Sequence, residues 1–178
     1  MATDTLYGVL GSAFKKNTVA RIYRLRRRNT KKPMIILIRS LRDLHRFGVT
    51  PDQKTLRILK ELWPGKASVI LPISKKASLT RFAYLHRGTG ALAFRLPHSV
   101  RLRALLNATG PLVAPSANPE GSAPAETIAQ AKRYFGSRVD TYENRGRKTS
   151  PPSTLVSFAH RKLTVLRKGA VRIPKRLF

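Results

Sequence analysis

Apolar positions along the chain fall into two patterns, stripes at helical spacing and short continuous runs. Val19, Ile22 and Tyr23 share one helical face and predict a helix over 18–25, with Asn17 as its cap. The unbroken apolar run at 34–38 predicts a strand buried on both faces. Helices are expected at 40–47 and 51–63. In the second, Leu56, Leu59, Leu62 and Trp63 form a stripe that Pro64-Gly65 ends. Strands follow at 68–73 and 91–96, then a helix over 100–107 closed by Gly110. A short strand at 112–114 enters a turn-rich loop at 115–124, and a helix over 125–135 stops at Gly136. Strands at 153–158 and 163–166 complete the set. Helices and strands alternate, yet some strands follow each other directly. The expected fold class is therefore α/β, with a mixed sheet flanked by helices.

Composition narrows the setting. With 178 residues, 42% of them apolar, the chain suits one domain with a real core. No internal repeat or low-complexity linker divides it, so one domain over 1–178 is expected. No apolar run reaches the ~18 residues of a membrane span, and the start lacks the basic and apolar regions of a secretory signal. The expectation is an intracellular protein, in the cytoplasm or an organelle, neither secreted nor membrane-spanning. The absence of cysteine excludes disulfides, thiolate metal sites and cysteine nucleophiles.

Charge changes the picture most. Thirty-six Lys and Arg face eight Asp and Glu, a formal net charge of +28. Self-repulsion on this scale calls for a counter-charge, and RNA is the expected partner, because neutralising phosphates releases counterions. One basic cluster holds Lys15, Lys16, Arg24 and Arg27, a second holds Arg145, Arg147 and Lys148, and these seven are the nucleic-acid-binding candidates. The basic end at 161–178 carries seven more cations and no acid.

Several chemistries are missing. There is no phosphate loop of the G-x-x-x-x-G-K-[ST] type and no G-x-G-x-x-G. His45, His86, His98 and His160 lack metal-ligand spacing, so no metal is assigned to side chains. The few scattered carboxylates suggest no acid/base pair, and no catalytic residue is assigned. Cations, hydroxyls and backbone groups remain, concentrated in four segments: Thr3 to Gly8, Arg26 to Pro33, Ala114 to Asn118, and Pro152 to Val156. Spaced guanidinium and ammonium groups in the second suit a phosphate chain.

In this order the segments resemble the YrdC-type threonylcarbamoyl-AMP synthases. That family begins P-T-D-T-x-Y-G-L and continues K-x-R-x-x-x-[KN]-P-L before an apolar strand. P-G-P-x-T, A-V-R-x-P-x-H, P-x-x-x-P-S-A-N-x-S-G, S-T-[VI]-V-D and L-R-x-G follow. Here the counterparts are Thr3 to Gly8, Arg26-x-Arg28 with Lys32-Pro33-Met34, Pro64-Gly65, and Ala93 to His98. Pro111 through Ser116-Ala117-Asn118 to Gly121, Ser153 to Val156, and Leu166 to Gly169 complete the series.

The resemblance implies a single YrdC-like domain, a twisted mixed sheet with a cationic concave site. It implies a reaction of L-threonine, bicarbonate and ATP that yields threonylcarbamoyl-AMP and pyrophosphate, in tRNA threonylcarbamoyladenosine formation. Thr5, Arg95 and Ser153 would then contact threonine. Arg26, Arg28, Lys32, Ser116, Asn118 and Arg167 would hold ATP as substrate, with Mg2+ on the triphosphate. Four departures accompany the match. Only Met1-Ala2 precedes the first motif, so the family's first strand is expected to be missing. Arg26 stands for a lysine, Leu37 for a histidine near threonine, and Glu120 for a serine. They support an alternative, a catalytically decayed YrdC-like RNA-binding protein, structural within a ribonucleoprotein.

Overall fold

The computed structural model describes residues 1–74, 81–159 and 162–177; of the residues discussed above, His160, Arg161 and Phe178 lie outside them. In chain order the elements are β1 (Gly11–Ser12), α1 (Lys16–Leu25), β2 (Ile35–Leu37), a 3-10 segment (Leu41–Phe47) and α2 (Gln53–Leu62). Then come β3 (Ala67–Pro72), α3 (Ala83–His86), β4 (Ala91–Arg95), α4 (Val100–Thr109) and β5 (Leu112–Val113). α5 (Ile128–Phe135), β6 (Thr154–Ala159) and β7 (Lys162–Arg167) follow.

Among the described residues seven strands form one sheet in the order β1-β5-β2-β4-β3-β6-β7. β2 runs parallel to β4, and β3 parallel to β6, while the other neighbours are antiparallel. The sheet is mixed, as the directly successive strands require. The chain reaches β1 through isolated bridges from Ala2 to Tyr7 and from Gly8 to Ser116.

Strand alternation sorts the chain into two faces. Ile36, Val69, Leu92, Phe94 and Val156 point to one side and join the main core with Val19, Ile22 and Tyr23 of α1 and Ile58, Leu59 and Leu62 of α2. Their neighbours in sequence point to the other side. There Leu37 meets Leu102 and Leu106 of α4 and Leu112, a smaller apolar cluster covering one end of that face. The rest of the face is left for the site.

Local chemistry sets the helix ends. Asp52 caps α2 by accepting from the Thr55 amide at 2.8 Å, and Ser99 caps α4. Thr127 and Gln130 form a capping box, so α5 starts at Ile128 and not at 125. Asn17 is not the cap of α1: the helix begins at Lys16, with Lys15 at the cap position and no side-chain bond. A backbone turn from Lys15 N–H to the Ser12 carbonyl fixes that start instead. The helix expected at 40–47 is a 3-10 segment closed by Gly48 in the left-handed region.

Candidate functional site

Register alone brings the chemistry together. Ile35 pairs with Ala93, Leu37 with Arg95, Ile70 with Ala93, Ser68 with Leu155, and Leu155 with Arg167. All of them therefore lie on the face opposite the main core. Above this face is a cavity of about 450 Å³, within the usual range for small-molecule sites. Its floor is small and apolar, built from Ile35, Ile70, Ala91, Ala93 and Leu155. Among the described residues its walls carry six cations, Arg26, Arg28, Lys31, Lys32, Arg95 and Arg167, and no lining side chain is acidic.

Thr5, Arg95 and Ser153 all line this cavity and all are buried. The Arg95 guanidinium donates to Thr5 Oγ1 at 3.2 Å, while its Nε has no partner among the described residues. Burial lowers the Arg95 pKa, with nearby Asp4 opposing the effect. Asp4 itself accepts from the His98 and Ser99 amides at 2.8 and 3.0 Å, which ties the first motif to the start of α4. Ser153 Oγ lies 2.8 Å from Ser68 Oγ. Leu37, the histidine counterpart, sits in the cluster under α4 and does not line the cavity.

Arg26, Arg28, Lys32, Ser116 and Arg167 also line the cavity. Arg26 is only 3% exposed. Its Nε donates to the Asn118 carbonyl at 2.9 Å, and one terminal nitrogen reaches Ser116 Oγ and Asn118 Oδ1 at 3.3 Å each. The other terminal nitrogen has no partner among the described residues. Burial, and then the charge of Arg28, lower this guanidinium to about 10. Arg28 donates to the carbonyls of Lys32 and Pro33, and Arg167 to that of Ser153. Burial and Arg28 lower the Arg167 pKa as well. Asn118 does not line the cavity. Its amide donates to the Pro119 and Ser122 carbonyls at 2.9 and 2.7 Å, bracing the loop behind the wall.

The carboxylate at Glu120 turns towards the 26–33 loop and not towards the cavity. It accepts from the Asn29 amide at 2.5 Å and from Lys32 Nζ at 2.7 Å. These bonds, Lys32 first, hold its pKa down to about 2.

The nucleic-acid candidates divide in two. Arg145 is paired with Glu143 at 2.6 Å, Arg147 with Glu126 at 2.7 Å, and the Lys148 amide donates to the Glu126 carbonyl. Lys15, Lys16, Arg24 and Arg27 are exposed, and no ion pair is seen for them among the described residues. The outer face of α1 carries Lys16 and Arg24, separated by about 12 Å along the helix.

Several contributors were not singled out from sequence. Ser68 is a polar residue hidden in a buried strand, and that mismatch is its signal. Lys31, read from sequence as part of the cationic 26–33 loop without a role of its own, lines the cavity beside Lys32. Tyr7 is fully buried, its hydroxyl donating to the Gly146 carbonyl at 2.7 Å and accepting from the Arg145 amide at 2.8 Å. Among the described residues no group of three or more His, Cys, Asp and Glu side chains is placed to hold a metal, and no helix is long and apolar enough to cross a membrane.

Fold and site thus define a mixed-sheet α/β protein with a cation-lined cavity over one sheet face. The family model for Sua5, YciO and YrdC, described as "Telomere recombination", matches residues 1–169. The chain belongs to this family. It is 30% identical over 155 residues to the threonylcarbamoyl-AMP synthase of Cellvibrio japonicus, covering 84% of this chain and 78% of that protein. A second synthase, from Halorhodospira halophila, is 30% identical over 139 residues, 78% of this chain and 71% of its own. Among solved structures, a Pyrococcus abyssi Sua5 variant superposes with a TM-score of 0.85 at 25% identity, covering 94% of this chain and 51% of that one. This chain thus spans about half the length of that Sua5. E. coli YciO has the same fold, with a TM-score of 0.84 at 23% identity over 99% of this chain and 84% of its own.

Proposed function

We propose that the chain is an L-threonylcarbamoyladenylate synthase. It would join L-threonine, bicarbonate and ATP into threonylcarbamoyl-AMP, releasing pyrophosphate and water, in the service of tRNA threonylcarbamoyladenosine formation. The observation that carries this reading is the cavity itself, whose walls, among the described residues, carry six cations and no acid. Such donors suit anionic groups. A Pyrococcus abyssi Sua5 with 25% identity to this chain is known in complex with L-threonine. In this reading Arg95 takes the threonine carboxylate, with Thr5 and Ser153 beside it. Arg26, Arg28, Lys32 and Arg167 take the triphosphate, with Ser116 at the wall and Asn118 bracing the loop. Mg2+ would then be carried by phosphate oxygens, with the wall hydroxyls of Thr5, Ser116 and Ser153 within the same cavity. The chain's own contribution is then positioning and charge neutralisation. An open, cation-lined cavity does not favour a decayed pocket. ATP and tRNA are found inside the cell, and the work is expected there, by one domain over 1–178.

The test is pyrophosphate release from ATP and Mg2+ by the purified chain. Release should require both threonine and bicarbonate, and Arg95→Gln should raise the threonine KM at least about tenfold. Release that ignores threonine, or its complete absence, sinks the proposal. A second reading adds an RNA contact along α1, because Lys15, Lys16, Arg24 and Arg27 are exposed and make no ion pair among the described residues. Four phosphate contacts predict a log–log salt slope of about −3 for RNA affinity. A slope near zero, or one unchanged when all four become Gln, removes that contact.

A further inference from the structure

Among the described residues, Glu120 provides the one carboxylate hydrogen-bonded to a cation of the cavity wall. Its partners are notable for their type: a backbone amide, Asn29 N–H, and an ammonium, Lys32 Nζ. An amide beside an ammonium is the donor pair that phosphate oxygens take in anion-binding loops. The backbone amide of Glu120 also donates to the Arg26 carbonyl at 2.7 Å, so the 119–120 turn is fastened to the loop that carries Arg26, Arg28, Lys31 and Lys32.

We infer that Glu120 is an internal counter-ion of the phosphate wall, holding Lys32 and the Asn29 amide until a phosphate group takes Lys32 over. The inference rests on the phosphate-binding reading above. It gives the carboxylate a purpose that a serine at this position cannot serve. Six cations around one cavity would hold pyrophosphate tightly and slow its release, a step that often limits turnover. A carboxylate competing for Lys32 loosens that grip, and it also relieves repulsion among the cations when the cavity is empty.

Glu120→Gln tests the charge separately from the shape, since its amide oxygen can still accept from Asn29 N–H. Pyrophosphate affinity is measured by calorimetry at low and high salt, with Glu61→Gln as a remote control, since Glu61 pairs with Arg176 on the surface and does not line the cavity. Glu120→Gln should bind pyrophosphate about three- to tenfold tighter at low salt, and the gain should shrink as salt screens it. Glu120→Ala should show the same gain and lose hydrogen-exchange protection at the Asn29 amide. Equal or weaker binding by Glu120→Gln overturns the inference, as does an equal gain from Glu61→Gln. If the wild-type chain binds no pyrophosphate, the phosphate reading of the cavity falls first and the counter-ion with it.

Discussion

Arg26 is held in the fold at a cost, and Arg26→Met should expose it. The guanidinium sits at about 10, well below its ordinary value. At about 1.4 kcal/mol per factor of ten, keeping it charged in the folded chain costs about 3 kcal/mol. Against this stand three hydrogen bonds, one at 2.9 Å and two at 3.3 Å, together about 2–3 kcal/mol. Methionine fills much of the volume and removes the charging cost together with the bonds, but it leaves the buried Asn118 carbonyl without its donor, at about 1–3 kcal/mol. In the absence of ligand, Arg26→Met should therefore lose no more than about 3 kcal/mol against the wild type in urea. Stabilisation by ATP should fall sharply, because one charge-assisted bond to phosphate is worth about 1.5–3 kcal/mol, or roughly ten- to a hundredfold in affinity.

The pH dependence has a definite sign. A cation whose folded pKa lies below its unfolded value is penalised at every pH below the folded one. The penalty fades as pH rises from about 10 towards the unfolded value. The gap between wild type and Arg26→Met should stay flat from pH 7 to about 9 and then move in the wild type's favour, by about 1 kcal/mol near pH 11. A ligand-free loss above about 4 kcal/mol, or undiminished stabilisation by ATP, would refute the reasoning.

Gly169→Ala should destabilise by about 2 kcal/mol or more and raise the threonine KM, since its Cβ would lie 2.2 Å from the Pro152 carbonyl oxygen and 2.7 Å from Ser153 backbone atoms. Denaturation and kinetics together check this, because a merely unstable variant would leave KM unchanged. Tyr7→Phe should cost about 1–3 kcal/mol and speed hydrogen exchange at the Arg145 amide, which loses its acceptor.

The floor of the site was the most legible part of the sequence. Ala91, Ala93 and Arg95 alternate with Leu92 and Phe94, and that period of two already places the cation with the small residues and opposite the core. β1 was not legible, because two residues carry no periodicity; its place comes from pairing with β5. α3 is a single turn and equally silent. The partners of Glu120 lie about ninety positions away, so the sequence offered only an acid near expected phosphates. Ser68 was masked by its apolar neighbours, and only pairing with β6 brings it to Ser153.

The eight acids explain how a chain of +28 holds together and what it asks of its surroundings. Asp4 ties the first motif to α4, Asp52 caps α2, and Asp43 takes Arg39 and Arg46. Glu61, Glu120, Glu126, Asp140 and Glu143 pair with Arg176, Lys32, Arg147, Arg21 and Arg145. Every acid is thus committed to local structure, and the excess cations repel one another. Exposed pairs contribute little, about 0–1 kcal/mol each, so screening them costs less than screening the repulsion gains. Raising sodium chloride from about 20 to 500 mM should therefore raise the melting temperature of the ligand-free chain. A fall with salt, measured by calorimetry, would mean that the pairs outweigh the repulsion, and the case for an external polyanion would lose its electrostatic basis.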